Sequence, residues 1–402
     1  MSLLSENPMW EEFGRRALLW AGCGGADFGE CMTTVQRVGD EGTADDWYRE
    51  WVATADRVAG IGDGCAQAGH RVSGWEAYGR AATYYRVAYM PLFGTPVDPR
   101  LVHAFDRETE VFERGAALAP HPIEPLDIDT PAGTFPAYLV RVDDSERSRP
   151  TIVQTNGYDS NIREMFFSHA PAAVRRGYNC VLFDGPGQGR NLIRDGVTMR
   201  PDWENVVTPV IDWALRCPYI DPERIVLVGW SFGGNLAPRA AAFEHRIAAL
   251  VADPGQWDQR QNVVPALPLS EEDKARFPDI DPQALQPVEE WIRTEADPSL
   301  RWRLLQRGLW VNGTETLFDY FASMLDYEIS PVAHEISCPT LLTMAEGDPI
   351  SAGAPQLYDS LTVDKSLVRF TDAEGSGGHC EGTARLLYLQ RVFDWIDETL
   401  GP

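Results

Sequence analysis

Two kinds of hydrophobic pattern divide the chain near residue 116. Before that point apolar residues recur at helical spacing, as at Trp47, Trp51, Ala55 and Val58. No stretch there alternates between apolar and polar positions as a half-buried strand would. We therefore expect residues 1–115 to form a helical N-terminal domain.

From residue 116 to 402, short apolar runs bounded by turn residues alternate with helical segments. Eight runs are predicted strands: 123–128, 135–142, 150–155, 179–184, 224–229, 248–252, 340–345 and 366–371. Helices fit between most of them, at about 161–176, 202–216 and 232–245. This alternation is typical of an α/β fold, in which helices cover both faces of a mostly parallel, doubly wound sheet.

One interval interrupts the alternation. Residues 256–336 separate two neighbouring strands and carry apolar residues at helical spacing, among them Trp291, Trp310 and Phe318. A structureless loop of that length is uncommon inside a compact domain. We therefore predict a helical cap inserted into a catalytic domain that spans residues 116–402.

Composition excludes several function classes. The net charge of −25 argues against a nucleic-acid partner, which requires a basic surface. The seven cysteines are scattered without a CxxC pair, and no His, Cys, Asp or Glu cluster has the spacing of metal ligands. We therefore expect no metal and no cofactor. Since neither a signal peptide nor a membrane-length apolar run is visible, we expect a cytoplasmic protein with no membrane partner.

The chemistry of the chain centres on Ser231. The apolar run Ile225–Val228 is followed by Gly-Trp-Ser-Phe-Gly-Gly and then by an alanine-rich helix. A strand that turns at once through G-x-S-x-G into a helix is the nucleophile-elbow pattern of serine hydrolases. The turn exposes the serine hydroxyl and aims the next amide, that of Phe232, at the same centre.

A nucleophilic serine needs a base and an acid that orients the base. Asp348 follows the strand 340–345, and His379 follows the last strand in a glycine-rich loop, so both occur in the required chain order. Asp348 could instead be a turn or helix-capping residue, in which case Glu346 or Asp372 would replace it. The other six histidines are expected to be structural.

A second oxyanion donor is predicted in the loop after the strand 150–155. Gly157 permits close approach of the backbone, and the amide of Tyr158 would be the donor. The alternative is an ordinary strand-to-helix turn in which Asp159 or Ser160 caps the helix. The glycine-rich stretch 184–190 matches neither dinucleotide nor P-loop spacing, so we interpret it as a structural loop.

These motifs together resemble one group of α/β-hydrolases. The group includes 2,6-dihydroxypseudooxynicotine hydrolase and fungal hydrolases that shorten polyketide chains. The resemblance rests on Asn-Gly-Tyr-Asp, Asp-Gly-Pro-Gly-Gln-Gly, Gly-Trp-Ser-Phe-Gly-Gly and Gly-Gly-His-Cys-Glu behind a helical N-terminal region. It implies a Ser231-His379-Asp348 triad, oxyanion donors at Tyr158 and Phe232, an active site roofed by the N-terminal domain and the cap, and a homodimer.

The resemblance also implies cleavage of a C–C bond next to a carbonyl, with carboxylesterases among the relatives. Aromatic residues favour a flat aromatic or polyketide-like small molecule, although such residues are more often core. The candidate substrate contacts are Trp230, Asp159, Tyr84 and Tyr85, together with Asp253 as an additional acid and Trp302, Trp310 and Phe321 in the cap. A carboxylesterase, an acyltransferase or peptidase variant, and a non-catalytic binding protein are the alternatives.

Overall fold

Helices make up the N-terminal part of the computed structural model, which describes residues 2–401. They are α1 (Pro8–Leu18), α2 (Phe28–Val38), α3 (Ala44–Gln67), α4 (Arg71–Ala88) and α5 (Pro99–Ala116). Helix α3 begins at a capping box, in which Thr43 and Asp46 each accept the other's backbone amide. The apolar positions predicted from spacing lie on its buried face, where Trp47 and Trp51 are fully enclosed.

A single eight-stranded sheet follows the N-terminal helices. Its strands are β1 (Ile123–Thr130), β2 (Gly133–Val140), β3 (Arg149–Thr155), β4 (Asn179–Phe183), β5 (Ile220–Trp230), β6 (Ala249–Asp253), β7 (Thr340–Ala345) and β8 (Lys365–Phe370). Their order is β1-β2-β4-β3-β5-β6-β7-β8. Strand β2 is antiparallel to β1 and β4, and the other neighbours are parallel. The predicted α/β fold is confirmed.

Strand β5 begins earlier than the sequence predicted, at Ile220 instead of Arg224. Its first residue pairs with Arg149 of β3, and an irregularity in the register follows before Ile225 pairs with Thr151. A bulge of this kind adds residues to a strand without changing the spacing of its apolar positions. The apolar pattern alone therefore marks only the regular part of β5.

Helices cover the sheet between the strands. They are α6 (Ile162–Arg175), α7 (Gly189–Ile193), α8 (Glu204–Ala214), α9 (Gly233–Ala241), α16 (Ala354–Ser360) and α17 (Arg385–Leu400). The central strands β4 and β6 are buried at every position, as expected for parallel strands covered on both faces. Because parallel strands share one carboxyl edge, the loops after β3, β5, β6, β7 and β8 meet there.

The interval between β6 and β7 is helical. It contains α10 (Arg260–Val263), α11 (Glu271–Arg276), α12 (Gln286–Thr294), α13 (Pro298–Arg301), a π-helical segment (Trp302–Gly308), α14 (Leu309–Asn312) and α15 (Leu317–Met324). Trp302 joins this insertion to the N-terminal helices, because its indole Nε1 donates to the Met90 carbonyl at 2.7 Å. Its ring also stacks on Phe93. No helix among residues 2–401 is long and apolar enough to cross a membrane.

Candidate active site

Ser231 lies in the sharp turn between β5 and α9. Its φ of 58° is in the left-handed region, which a non-glycine residue adopts only under local constraint. The turn is held because the Ser231 amide donates to the Asp253 carbonyl at 2.6 Å. Gly234 has to be glycine, since a Cβ there would overlap the Pro254 carbonyl oxygen. This is the local geometry that the elbow motif predicts.

The side chains of Ser231, His379 and Asp348 form a continuous hydrogen-bonded chain. Ser231 Oγ lies 2.8 Å from His379 Nε2, and His379 Nδ1 lies 2.9 Å from Asp348 Oδ2. A carboxylate accepts from Nδ1–H, so Nε2 is the nitrogen left to accept the serine proton. The imidazole is open to solvent on one side, whereas the Asp348 carboxylate is buried.

Asp348 also fills the alternative role considered for it. Its Oδ1 accepts the amide of Ile350 at 3.0 Å and caps the short helical turn after β7. Since the other oxygen faces His379, the cap fixes the carboxylate in place for the imidazole. Glu346 instead accepts the backbone amide of Asp372, and these two residues brace the neighbouring loops.

The loop after β3 lies directly against the nucleophile. A Cβ at Gly157 would be 3.0 Å from the Ser231 Cβ, so only glycine lets the loop approach this closely. Within residues 2–401, neither the Tyr158 amide nor the Phe232 amide has a protein acceptor. Two unpaired amides beside a serine hydroxyl can stabilise a negative oxygen. The sequence offered Asp159 or Ser160 as the cap of the following helix, but the residue that caps α6 is Asn161.

The phenol of Tyr158 is held by the inserted helices. Its hydroxyl contacts the carbonyl of Gly308 at 3.3 Å and the amide oxygen of Asn312. Its ring packs edge-on against Phe232 at 5.4 Å, and the Arg307 guanidinium lies over it at 5.5 Å. The insertion therefore holds the side chain of Tyr158, the residue after Gly157. The π-helical segment that carries Gly308 is of a kind often found near functional sites.

Asp159 belongs to a buried ion-pair network instead of standing free for a substrate. Its carboxylate lies 3.0 Å from Arg16, 3.6 Å from Arg86 and 4.0 Å from Arg307. Glu164 completes the network, at 2.5 Å from Arg16 and 3.0 Å from Arg86. Burial opposes ionisation of Asp159, but the arginines outweigh it and hold its pKa below the usual range. The network joins the N-terminal helices and the insertion to the loop after β3.

The remaining predicted contacts lie in two places. The ring of Trp230 is beside His379, with its centroid 6.4 Å from that of His379 and 5.8 Å from that of Trp20. Tyr84 and Tyr85 lie within the N-terminal helices, and their hydroxyls donate to Glu30 and Asp56. The expectation that these two tyrosines contact substrate is therefore not supported by their surroundings.

Asp253 and the cap aromatics are also engaged elsewhere. The Asp253 carboxylate is fully buried, at 3.1 Å from Arg385 Nη1 and 3.0 Å from Thr343 Oγ1. Trp302 and Trp310 both pack on Phe93, at 5.6 and 5.2 Å. These aromatics hold the insertion against the N-terminal helices, as core residues do.

Three site residues escaped the sequence prediction. Trp20 packs on Trp230 at 5.8 Å, Tyr327 packs on Phe232 at 4.9 Å, and Arg307 lies over Tyr158. None belongs to a motif, because each reaches the site from a segment distant in sequence. Within residues 2–401, no group of three or more His, Cys, Asp or Glu side chains could hold a metal ion.

Comparison with known proteins agrees with this geometry. Residues 155–386, which contain β5 and all three members of the hydrogen-bonded chain, match the model of the alpha/beta hydrolase family. The chain belongs to the alpha/beta hydrolase family. The enzyme class and the family resemblance predicted from the motifs are thereby confirmed.

Relatives match this α/β-hydrolase over nearly its whole length. Hydrolase acrC of Aspergillus aculeatus is 32% identical over 95% of this chain and 94% of its own. The 20-hydroxy-prefusarin hydrolase FUS2 of Gibberella moniliformis is 30% identical over 94% and 93%. The crystal structure of the 2,6-dihydroxy-pseudo-oxynicotine hydrolase superposes with a TM-score of 0.74 over 95% of both chains, at 21% identity. At that identity the structural likeness concerns the fold.

Proposed function

We propose that this α/β-hydrolase is a serine hydrolase that cleaves a C–C bond next to a carbonyl in an aromatic or polyketide-like small molecule. The observation that carries the proposal is the hydrogen-bonded chain from Ser231 through His379 to Asp348, with distances of 2.8 and 2.9 Å. A buried acid, an imidazole with a free Nε2 and a serine in a strained turn are the three parts of a nucleophilic triad.

The first half of the reaction forms an acyl-enzyme. Ser231 Oγ attacks the substrate carbonyl carbon while His379 Nε2 takes the hydroxyl proton. Asp348 accepts the Nδ1–H bond and stabilises the imidazolium. The amides of Tyr158 and Phe232 donate to the oxyanion, a contribution that is typically worth about 10²–10³ in kcat for each donor.

The second half releases the two products. As the tetrahedral intermediate collapses, the C–C bond breaks and the leaving carbon takes the electron pair. That carbon must be an enolate or an electron-rich ring, and His379 returns its proton to it. A water then attacks the acyl-enzyme with His379 as base, which frees a carboxylic acid and restores Ser231.

Aromatic surfaces beside the triad support a flat substrate. Trp230 and Trp20 lie on the side of His379, and Phe232 packs against Tyr158 and Tyr327 on the side of the oxyanion loop. Rings of this kind offer large apolar contact to a planar ligand. FUS2 is named as a hydrolase of 20-hydroxy-prefusarin, which supports a small-molecule substrate for this chain as well.

The test combines a serine variant with product analysis. We expect Ser231→Ala to lose at least about 10³ of the turnover of aryl β-diketones, because the nucleophile is gone. Ser360→Ala is the matched control, since that hydroxyl bonds only within its own helix α16. Undiminished turnover by Ser231→Ala, or failure of a fluorophosphonate to label Ser231, would refute the triad. If mass spectrometry shows that only acylated phenols and simple esters are hydrolysed, the enzyme is a carboxylesterase and the C–C proposal is wrong.

The arrangement of the chain enters the proposal in three ways. We propose that residues 1–115 and the cap at about 256–336 roof the catalytic domain 116–402, which the contact of Trp302 with Met90 supports.

We also propose a homodimer, which light scattering of the purified protein will test. A cytoplasmic location is supported because all seven cysteines are free, and fractionation of the source cells checks it.

A further inference from the structure

A cluster of buried charged side chains lies beneath the loop that carries His379. It consists of Asp253 at the end of β6, Glu381 in the loop and Arg385 at the start of α17, all enclosed. Arg385 Nη1 donates to Asp253 Oδ2 at 3.1 Å and to the Cys380 carbonyl at 2.9 Å. The proposed mechanism uses none of the three.

The charges of this cluster do not balance if both acids are ionised. Arg385 supplies one positive charge, which Asp253 neutralises through a direct ion pair. Glu381 follows Cys380, whose Sγ lies 3.6 Å from the Asp253 carbonyl, and among residues 2–401 no group donates to either carboxyl oxygen of Glu381. A second buried carboxylate without a donor would be strongly unfavourable. A neutral Glu381, in contrast, has a proton to donate and an acceptor next to it.

Other titratable groups around Glu381 do not supply the missing charge. Asp348 adds a further negative charge, and Cys380 and Tyr388 are buried neutral groups whose pKa values burial raises well above the usual range. His169, bonded to the Tyr388 hydroxyl at 3.1 Å, is kept neutral because burial and then Arg385 lower its pKa. Burial first, and then Asp253, accordingly raise the pKa of Glu381 well above its usual range.

The backbone at this point is strained. Cys380 and Glu381 have φ of 52° and 48°, two successive non-glycine residues in the left-handed region. Non-glycine residues adopt this conformation only at a cost in free energy, so the surrounding contacts must hold them. Two contacts of Cys380 lead to the cluster, because its carbonyl accepts from Arg385 and its Sγ lies 3.6 Å from the Asp253 carbonyl, and its Sγ also lies 3.4 Å from His379 Nε2. His379 is the residue immediately before this strained pair.

We propose that Glu381 is a neutral acid whose carboxyl O–H donates a hydrogen bond to Asp253, and that this bond is a positioning contact that keeps His379 in line with Ser231. The inference rests on the proposed function, in which His379 is the base. Loss of the proton would place two carboxylates side by side and push the strained loop away from β6. The imidazole would then leave the 2.8 Å contact with Ser231.

The pH dependence follows with a definite sign. A carboxyl whose folded pKa is raised holds its proton in the folded state at pH values where the unfolded chain has lost it. Its contribution to stability is therefore full below the unfolded pKa, about 4.3, and is lost as pH rises through the folded value. The positioning bond disappears over the same range, so activity falls on the alkaline side.

The experiment compares Glu381→Gln with the matched control Glu374→Gln. The amide introduced by Glu381→Gln stays neutral and can still donate to Asp253, whereas Glu374 is an exposed partner of Arg391 in the same loop region. The readout is the rate at which a fluorophosphonate labels Ser231 as pH is raised. We expect the alkaline midpoint of Glu381→Gln to lie about one pH unit or more above that of the wild type, with at least about tenfold faster labelling well above the wild-type midpoint. The midpoint of Glu374→Gln should match the wild type. Equal midpoints in all three proteins would overturn the proposal.

Infrared spectroscopy tests the proton without any use of activity. At pH 8.5 the wild type should show the carbonyl stretch of a protonated carboxylic acid, and Glu381→Gln should lack it. If that variant does not fold, Asp253→Asn replaces it, and the band should then vanish at a lower pH because the neighbouring charge is gone. No such band in the wild type would overturn the inference. A Ser231 that is never labelled would instead refute the proposed function, and the infrared result would stand independently.

Discussion

Asp159→Asn is the most informative single change, because Asp159 joins three parts of the chain. The native network contains three cations, Arg16, Arg86 and Arg307, and two anions, Asp159 and Glu164. The substitution leaves three cations facing one anion. Removing one partner from a buried ion pair typically costs about 3–5 kcal/mol, because the remaining charge stays buried.

The structure places the expected cost of Asp159→Asn at the lower end of this range. Arg16 and Arg86 keep Glu164, at 2.5 and 3.0 Å, and Arg86 Nη2 keeps the backbone carbonyl of residue 159 at 2.8 Å. Arg307 is partly open to solvent, so water can replace its contact. We therefore expect the free energy of unfolding to fall by about 3 kcal/mol. Activity should fall as well, since Tyr158, the proposed oxyanion donor, is the preceding residue.

Urea unfolding at pH 7, followed by tryptophan fluorescence, measures this loss. Asp106→Asn is the matched control, because Asp106 pairs with Arg194 on the surface and should cost less than about 1 kcal/mol. The difference between wild type and Asp159→Asn should shrink in acid. The lowered pKa of Asp159 contributes stability above its unfolded value, about 3.9, and that contribution is lost as pH falls through the folded value. A loss at pH 7 no larger than that of the control would refute the network.

Three further changes test other parts of the structure. Gly234→Ala should abolish fluorophosphonate labelling, because its Cβ would overlap the Pro254 carbonyl oxygen. Gly60→Ala is the control: its Cβ meets nothing within 4 Å, and the change should raise the melting temperature slightly. Asp184→Asn should flatten the pH dependence of unfolding. Burial raises the Asp184 pKa to about 7, so its contribution is full below about 3.9 and lost as pH rises through 7, which urea titrations at pH 5 and 8.5 will show. Tyr158→Phe should keep most of kcat, because the backbone amide stays. It should lower the free energy of unfolding by about 1–3 kcal/mol in calorimetry, because the hydroxyl contacts with Gly308 and Asn312 are lost. A loss of kcat of about 10²-fold in a folded variant would contradict this view.

Much of the fold could be predicted from local pattern. All eight strands lie where short apolar runs predicted them, and the central strands β4 and β6 are the clearest because a buried parallel strand is apolar along its whole length. Ser231 was identifiable since the elbow requires small residues at fixed offsets, and a missing side chain is visible in sequence. His379 and Asp348 followed from chain order, because the loops after the parallel strands all lie at the same edge of the sheet.

The neighbours of individual side chains outside motifs could not be predicted from the sequence. Tyr84 and Tyr85 were expected near the substrate because they are aromatic. In the structure their hydroxyls donate hydrogen bonds to Glu30 and Asp56 within the N-terminal helices. The family resemblance offered Asp253 as an additional acid near the site, and in the structure its carboxylate bonds to Arg385 and Thr343. Residue type and position along a strand do not say which neighbour a side chain will meet.

What the sequence by itself determined is the order of the strands along the chain, the elbow and the succession of serine, acid and histidine, since each depends on periodicity or on residues close in the chain. Only the tertiary structure decided the states of Asp159 and Glu381. The first is ionised because Arg16, 143 residues away in sequence, lies 3.0 Å from it. The second is enclosed without a donor to its carboxyl oxygens, beside an Asp253–Arg385 pair that joins segments 132 residues apart. The charge of a buried group depends on which groups surround it, and distant segments of the chain supply those groups.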